Sequence, residues 1–275
     1  MNWLQSIIYA LISGMAEFLP VSSSAHQSVL LTLFGQSEIP TALNFTVHLG
    51  ALAAVYINCQ NHLSALKRTQ FLLSIPKQRR KRQPDSTLVS ELRIFRTASI
   101  ISVIIVLLAT FILQANIKLN WLSVLLLING LLLYLTGRIS TGNKSSISMN
   151  RFDAALLGFT SGIGALPGLS RLGVGASAMV YRGASAKNVL NWCLLVSIPF
   201  LCALCICDVI LMFMLGVVGF GFVAFLQCLL AAVFSYIGAT LSITLLRFLA
   251  VKVGFSWFSY YCWGLALFAF LLYMI

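Results

Sequence analysis

The sequence is short of charge, above all of negative charge. Charged residues make up 9% of its 275 residues, and only 6 residues are Asp or Glu. This deficit excludes an ordinary soluble domain, whose surface carries far more charge. Hydrophobic residues reach 60%, and several runs approach or exceed the ~20 residues that span a bilayer. We therefore expect an all-α polytopic membrane protein.

Two further absences narrow the function. The apolar start, residues 2–12, has no basic n-region and no small-residue cleavage site after it, so we expect no cleaved signal peptide. Cys202 and Cys205 form a C-x-x-C pair inside an apolar run, with no histidine nearby. That setting argues against a redox or zinc site, because cysteine in an apolar run behaves as a small hydrophobic residue.

The net charge of +12 comes largely from one segment. A basic chain can bind nucleic acid, but clustered basic residues between apolar runs indicate a cytoplasmic loop. We predict such a loop over residues 65–93 and expect no nucleic-acid partner, although the loop could touch anionic lipid headgroups. The cluster consists of Lys67, Arg68, Lys77, Arg79, Arg80, Lys81, Arg82, Arg93 and Arg96.

Two similar stretches interrupt the apolar pattern. Residues 13–26 read SGMAEFLPVSSSAH, and residues 161–171 read SGIGALPGLSR. Each stretch separates two apolar runs that are too short to cross a bilayer, 2–19 from 26–35 and 153–166 from 172–181. We predict two re-entrant helical hairpins, wrapped by other helices because a backbone break at membrane depth needs protein or water around it.

Three longer apolar runs follow each hairpin. They lie at about 42–64, 94–114 and 121–137, and at about 187–209, 219–246 and 254–274, with a break expected near 216–221. The chain therefore reads as one membrane domain, 1–275, of two repeats, 1–138 and 139–275. Because each half has one hairpin and three spans, the repeats should be inverted, which places a binding site where the hairpin tips meet.

The tips carry the ionisable groups that are costly in a membrane and usually functional. Arg171 offers a planar cation suited to phosphate oxygens. Glu17 could bind a divalent cation or accept a proton. Either His26 or Ser23 could be the nucleophile. Hydroxyl and backbone N–H groups could add hydrogen bonds to phosphate, from Ser22, Ser24, Gly168 and Ser170.

Structural roles are open for the same residues. Glu17 and Arg171 could form a buried salt bridge between the repeats, and membrane serines often bond to the backbone or a neighbouring helix. His26 could be a satisfied packing histidine. For His48, packing against the hairpin and a supporting role at the site are equally open, and Ser13 is a second candidate for support.

These residues resemble a known family. EFLPVSSSAH at 17–26 is similar to the first signature of the undecaprenyl-pyrophosphate phosphatases, E-F-L-P-[VI]-S-S-T-G-H. PGLSR at 167–171 resembles their second signature, P-G-x-S-R-S-G, and FTVHLG at 45–50 resembles a segment between them. The hairpin-plus-three-span layout matches over essentially the whole chain.

The resemblance implies an enzyme that removes the terminal phosphate of undecaprenyl pyrophosphate in the bacterial inner membrane. This reaction recycles the carrier lipid for cell-wall (peptidoglycan) synthesis and is tied to antibiotic resistance. The resemblance implies that Glu17 binds Mg²⁺ or Ca²⁺, that His26 and Ser23 do the chemistry, and that Arg171 and Ser170 hold the pyrophosphate. The site would face the outer side, and a homodimer is left open.

The sequence also departs from the family pattern. Ser13 stands where the family usually has a second glutamate, Ala16 where it has threonine, Leu172 where it has serine, and Gly175 where it has threonine. A lost carboxylate weakens a metal site, so a second hypothesis is a transporter or flippase of polyprenyl phosphate, or a paralogue that binds lipid phosphate without hydrolysing it.

Overall fold

The computed structural model describes residues 1–112, 119–140, 142–216, 221–252 and 255–274, and within these ranges the chain is all-α, as predicted. A 3₁₀ turn, Lys77–Arg79, lies between the third and fourth helices. The α-helices in chain order are α1 (Trp3–Glu17), α2 (Ser23–Leu33), α3 (Thr41–Ser74), α4 (Ser86–Ile112), α5 (Leu119–Gly137), α6 (Arg151–Ile163), α7 (Arg171–Tyr181), α8 (Ala186–Met214), α9 (Phe222–Lys252) and α10 (Trp257–Met274).

The two hairpins lie where the motif pair predicts them, as α1–α2 and α6–α7. Their local chemistry is the same. The first helix of each hairpin begins at an asparagine whose side chain takes part in a reciprocal capping box, Asn2 in α1 and Asn150 in α6. The second helix of each begins at a serine whose hydroxyl accepts a backbone N–H, Ser22 in α2 and Ser170 in α7.

In the described part of the chain, five helices are long and apolar enough to cross a membrane, namely α3, α4, α8, α9 and α10. The protein is therefore a multi-pass membrane protein. Residues 121–137 of α5 form a shorter apolar helix, and residues 113–118 before it lie outside the described part. The number of crossings in each half, and hence the inverted orientation, stays a prediction.

The basic loop is shorter than the predicted 65–93. Helix α3 continues to Ser74 and α4 begins at Ser86, so only residues 75–85 connect them. Lys67 and Arg68 therefore lie on α3, and Arg93 and Arg96 lie on α4. The predicted bounds are wrong because Lys and Arg are good helix formers, so the helices continue through the charged positions at both ends of the segment. Its cytoplasmic placement stays a prediction.

The long apolar stretch from 186 to 246 breaks where it was predicted. Helix α8 ends at Met214, and Gly216 has a φ of 64°, a left-handed conformation that glycine adopts without a Cβ penalty. Residues 217–220 lie outside the described part, and α9 begins at Phe222. Most of the turn predicted near 116–120 also lies outside it.

The helices pack closely, and the pairings repeat between the halves. Helix α1 packs against α9, and α6 packs against α4. A Cβ on Gly14 of α1 would lie 2.3 Å from the carbonyl oxygen of Ser235, and one on Gly158 of α6 would lie 2.5 Å from that of Ala98. Glycine is therefore required at both crossings, as is common where membrane helices touch backbone to backbone.

Candidate active site

The two hairpin tips meet through an ion pair. Nη2 of Arg171, the first residue of α7, donates to Oε1 of Glu17 at 3.0 Å and to the Glu17 carbonyl at 3.1 Å. Glu17 is the last residue of α1, so this contact joins the motif of the first half to that of the second. Both side chains are less than a tenth exposed. A buried charge of this kind is tolerated because its partner is in contact.

Ser23 makes a hydrogen bond to the second oxygen of the Glu17 carboxylate. Its hydroxyl donates to Oε2 of Glu17 at 2.6 Å. This distance is in the range of a charge-assisted O–H···O⁻ hydrogen bond, which is stronger than a neutral one. Ser23 therefore has its proton aimed at a carboxylate, the arrangement that activates a hydroxyl as a nucleophile.

Arg171 retains unused hydrogen-bonding capacity. Its guanidinium carbon lies 5.5 Å from the centre of the Phe18 ring and 4.7 Å from that of Phe200. These aromatic faces stabilise the cation and fix its plane. Its Nε and Nη1 are buried and have no hydrogen-bond partner in the described part of the chain. Unpaired buried donors are costly, so the site is suited to an anion.

The remaining predicted phosphate donors hold the tips in place. The Ser170 hydroxyl caps α7 by accepting from the N–H of Gly173 and donates to the Leu19 carbonyl at 3.2 Å. Ser22, with a φ of 66°, caps α2. The N–H of Gly168 donates to the Ser24 hydroxyl at 3.2 Å. These contacts tie one tip to the other.

A cavity of about 150 Å³ opens at the meeting point. Within the described ranges Ser22 and Gly168 are not among its lining residues. The polar side chains that line it come from both halves, which makes it a shared site. They are Glu17, Ser23, Ser24, Gln27, His48, Ser170 and Arg171.

His26 lies outside this polar cavity. Its Nδ1 lies 2.7 Å from the Ser22 carbonyl, so Nδ1–H donates there, and its Nε2 accepts from the Tyr261 hydroxyl at 2.7 Å. The imidazole also stacks on the Tyr261 ring at 5.6 Å. His26 lines a neighbouring apolar groove of about 530 Å³ instead. With both nitrogens engaged, its chemical role stays a prediction.

The two candidates for a supporting role lie differently. Ser13 is 1% exposed, one helical turn before Glu17 on α1, and is not among the described residues that line the cavity. His48 does line the cavity, and its Nδ1 lies 2.7 Å from Oδ2 of Asp208.

The sequence model of the family described as "Bacitracin resistance protein BacA" matches residues 6–268. The chain belongs to the BacA family. The resemblance drawn from the two motifs is thereby confirmed. Proteins named undecaprenyl-diphosphatase are similar to the chain over most of its length. The one from Carboxydothermus hydrogenoformans is 28% identical over 268 residues, which is 96% of this chain and 94% of that protein.

Two further relatives of this BacA-family chain carry the same name. The undecaprenyl-diphosphatase of Treponema denticola is 29% identical over 209 residues, or 76% of each chain. That of Campylobacter curvus is 32% identical over 203 residues, or 73% of this chain and 74% of the relative.

Three residues that contact the candidate site residues were not singled out from the sequence. Asp208 bonds to His48, and Tyr261 bonds to His26. Asn129 of α5 donates to the Pro20 carbonyl at 3.1 Å and accepts from the Ser170 N–H at 3.0 Å, so it bridges both tips. A polar side chain in an apolar run is the signal that could have found Asp208 and Asn129, because such residues need a partner in a membrane.

The side chains that line the cavity fit Mg²⁺ better than Ca²⁺. Among the described residues that line it, Glu17 is the single carboxylate, and the described part contains no group of three His, Cys, Asp or Glu side chains placed to hold an ion. Ca²⁺ takes six to eight oxygen ligands, whereas Mg²⁺ is commonly held by one or two carboxylates together with substrate phosphates. The residues present fit Mg²⁺ that binds together with a pyrophosphate.

Proposed function

We propose that the protein hydrolyses undecaprenyl pyrophosphate to undecaprenyl phosphate in the bacterial inner membrane, with its site open to the outer side. The observation that carries the proposal is the buried Arg171 guanidinium at the cavity where both motifs meet, two of whose nitrogens have no hydrogen-bond partner among the described residues. A fork of this kind suits phosphate oxygens. The names of the relatives supply the substrate.

An apolar groove beside the cavity suits the lipid tail. Its lining includes Ile12, Met15, Leu19 and Phe258, and Ala16 lines both the groove and the cavity. A pyrophosphate at Arg171 would therefore have its prenyl chain next to apolar side chains. Apolar walls with a few convergent polar groups are the usual composition of a small-molecule site.

The geometry favours Ser23 over His26 as the nucleophile. Ser23 lines the cavity and is bonded to a carboxylate, whereas His26 uses both nitrogens outside it. The Ser23 oxygen attacks the terminal phosphorus while its proton passes to Glu17, and the bond to the bridging oxygen breaks to release the lipid monophosphate. Arg171 holds the transferred phosphoryl group. A Mg²⁺ held by Glu17 would neutralise charge on the pyrophosphate.

Phosphate release from undecaprenyl pyrophosphate by the purified protein in nanodiscs tests the function. We expect release with Mg²⁺, little with Ca²⁺ and none with a chelator. Binding of the lipid without any release would reject the hydrolase and favour the transporter, which uses the same cavity. That rival draws support from Ser13, where the related phosphatases usually have a carboxylate.

Replacing Glu17 by glutamine tests the metal assignment. Mg²⁺ affinity, measured by calorimetry with a non-hydrolysable methylene analogue of the pyrophosphate, is expected to fall about 10-fold or more, because the site loses its protein carboxylate. Glu91→Gln is the control. Glu91 is bonded to His62 and Ser146 away from the cavity. An unchanged Mg²⁺ affinity in Glu17→Gln would remove Glu17 from the metal site.

A further inference from the structure

A second polar cluster joins the cavity from the side of α3 and α8. Asp208 is 5% exposed on α8, and both its oxygens are used. Its Oδ2 lies 2.7 Å from Nδ1 of His48, and its Oδ1 accepts from Nδ2 of Asn44 at 3.0 Å. Asn44 and His48 lie one turn apart on α3 and face the same carboxylate. Nothing in the chemistry described above uses this cluster.

The carboxylate determines which nitrogen of His48 is available. Because Asp208 is an acceptor, Nδ1 carries the proton and Nε2 carries the lone pair when the ring is neutral. In the described part of the chain Nε2 has no hydrogen-bond partner, and His48 lines the cavity. His26, by contrast, has both nitrogens bonded. The imidazole available to a ligand in the cavity is therefore that of His48.

The proposed reaction needs a second proton acceptor. Once Ser23 has attacked, its proton is on Glu17, and the phosphorylated serine must still be hydrolysed by water. Glu17 must return its proton to the leaving serine oxygen, so it cannot also take a proton from the water. Among the described side chains that line the cavity, the two that can accept a proton as a base are Glu17, through its carboxylate, and His48, through Nε2.

We propose that His48 is the catalytic base of this second step and that Asp208 and Asn44 are positioning residues that act through it. This proposal rests on the proposed function. The water oxygen bonds to phosphorus as its proton passes to Nε2 of His48. The bond between phosphorus and the Ser23 oxygen breaks, and that oxygen takes the proton from Glu17. Inorganic phosphate leaves, and His48 returns its proton to solvent.

Rapid-quench kinetics on the full-length protein in nanodiscs tests this assignment. In His48→Gln the steady-state kcat is expected to fall about 10²-fold, as loss of a general base does. Because only the second step is slowed, KM should fall with kcat, and kcat/KM, which reports attack by Ser23, should stay unchanged. Attack by Ser23 is retained, so one equivalent of undecaprenyl phosphate should appear in a burst, with Ser23 trapped as phosphoserine that mass spectrometry detects. In Asp208→Asn the kcat should fall roughly 10-fold to 100-fold, and in Asp208→Glu part of that kcat should be restored.

The double variant separates positioning from an independent effect. If Asp208 acts through His48, His48→Gln combined with Asp208→Asn should be no slower than His48→Gln alone. The matched control is His62→Gln. His62 is also on α3 and also bonded to a carboxylate across two helices, at 2.8 Å from Glu91, but it does not line the cavity, so its loss should leave turnover unchanged.

The outcomes distinguish the inference from the function beneath it. A wild-type protein that releases no phosphate overturns both. An active wild type with full turnover in His48→Gln or Asp208→Asn overturns the inference alone. So does a slow His48→Gln without trapped phosphoserine, or a double variant whose loss equals the product of the two single losses.

Discussion

Turnover of undecaprenyl pyrophosphate is expected to fall about 10³-fold or more when Arg171 is replaced by alanine, as loss of an arginine that stabilises a transferring phosphoryl group does. Nε and Nη1 of Arg171 have no hydrogen-bond partner in the described residues, so the alanine variant would remove the donors that are proposed to bind the phosphate. Phosphate release under saturating substrate measures the effect. Among the described residues that line the cavity, Arg171 is the single arginine, so no other described lining residue can replace its guanidinium.

Alanine at 171 also leaves the buried Glu17 carboxylate without its cation, which costs about 3–5 kcal/mol in comparable cases. A thermal-unfolding measurement must therefore accompany the assay. Arg171→Lys keeps the charge but not the planar fork, so it should remain folded and still be strongly impaired. Arg138→Ala is the control, because Arg138 is exposed and bonded to Tyr134. Full turnover in Arg171→Lys would contradict the phosphate role.

Ser23→Ala has the other large expected effect. Loss of a nucleophilic serine lowers kcat by about 10⁴-fold or more, since the remaining groups bind and orient but do not react. Affinity for the non-hydrolysable methylene analogue should be nearly unchanged, because Arg171 still holds the pyrophosphate. The fold should persist, since the variant loses one hydrogen bond to the Glu17 carboxylate, worth about 1.5–3 kcal/mol, while Arg171 still pairs with that carboxylate.

Ser28→Ala is the matched control for Ser23. Ser28 lies on the same helix, and its hydroxyl donates to the Ser24 carbonyl at 3.0 Å away from the cavity. Turnover in Ser28→Ala should equal that of the wild type. Appreciable turnover in Ser23→Ala, with Ser28→Ala as active as the wild type, would exclude Ser23 as the nucleophile and return the question to His26.

The structure shows where the residues that depart from the family signatures lie. Leu172 is 2% exposed and belongs to the main hydrophobic core. A Cβ on Gly175 would lie 3.4 Å from the Ser161 hydroxyl and 3.5 Å from the sulfur of Cys193, which is ordinary contact. Ser13 places a small hydroxyl where a carboxylate is usual, so Glu17 alone supplies negative charge to the described lining of the cavity.

Local patterns determined much of the fold. The two Pro-containing breaks and the apolar runs predict the hairpins and most of the helix limits, because proline interrupts a helix and bilayer-spanning helices need apolar length. The basic segment was misjudged for a related reason. Charge marks where a chain leaves the membrane, but it does not end a helix, so α3 and α4 continue well past that point.

The sequence by itself determined a membrane protein with two polar motifs. It singled out Glu17 and Arg171 because charge in an apolar run needs a reason, and Ser23 as a candidate nucleophile. Only the tertiary structure decided what these groups touch. It placed Ser23 against Glu17, turned His26 away onto Tyr261, and brought Asp208 to His48 across 160 residues of chain. Such pairings depend on how helices distant in sequence pack together, and local patterns carry no record of that packing.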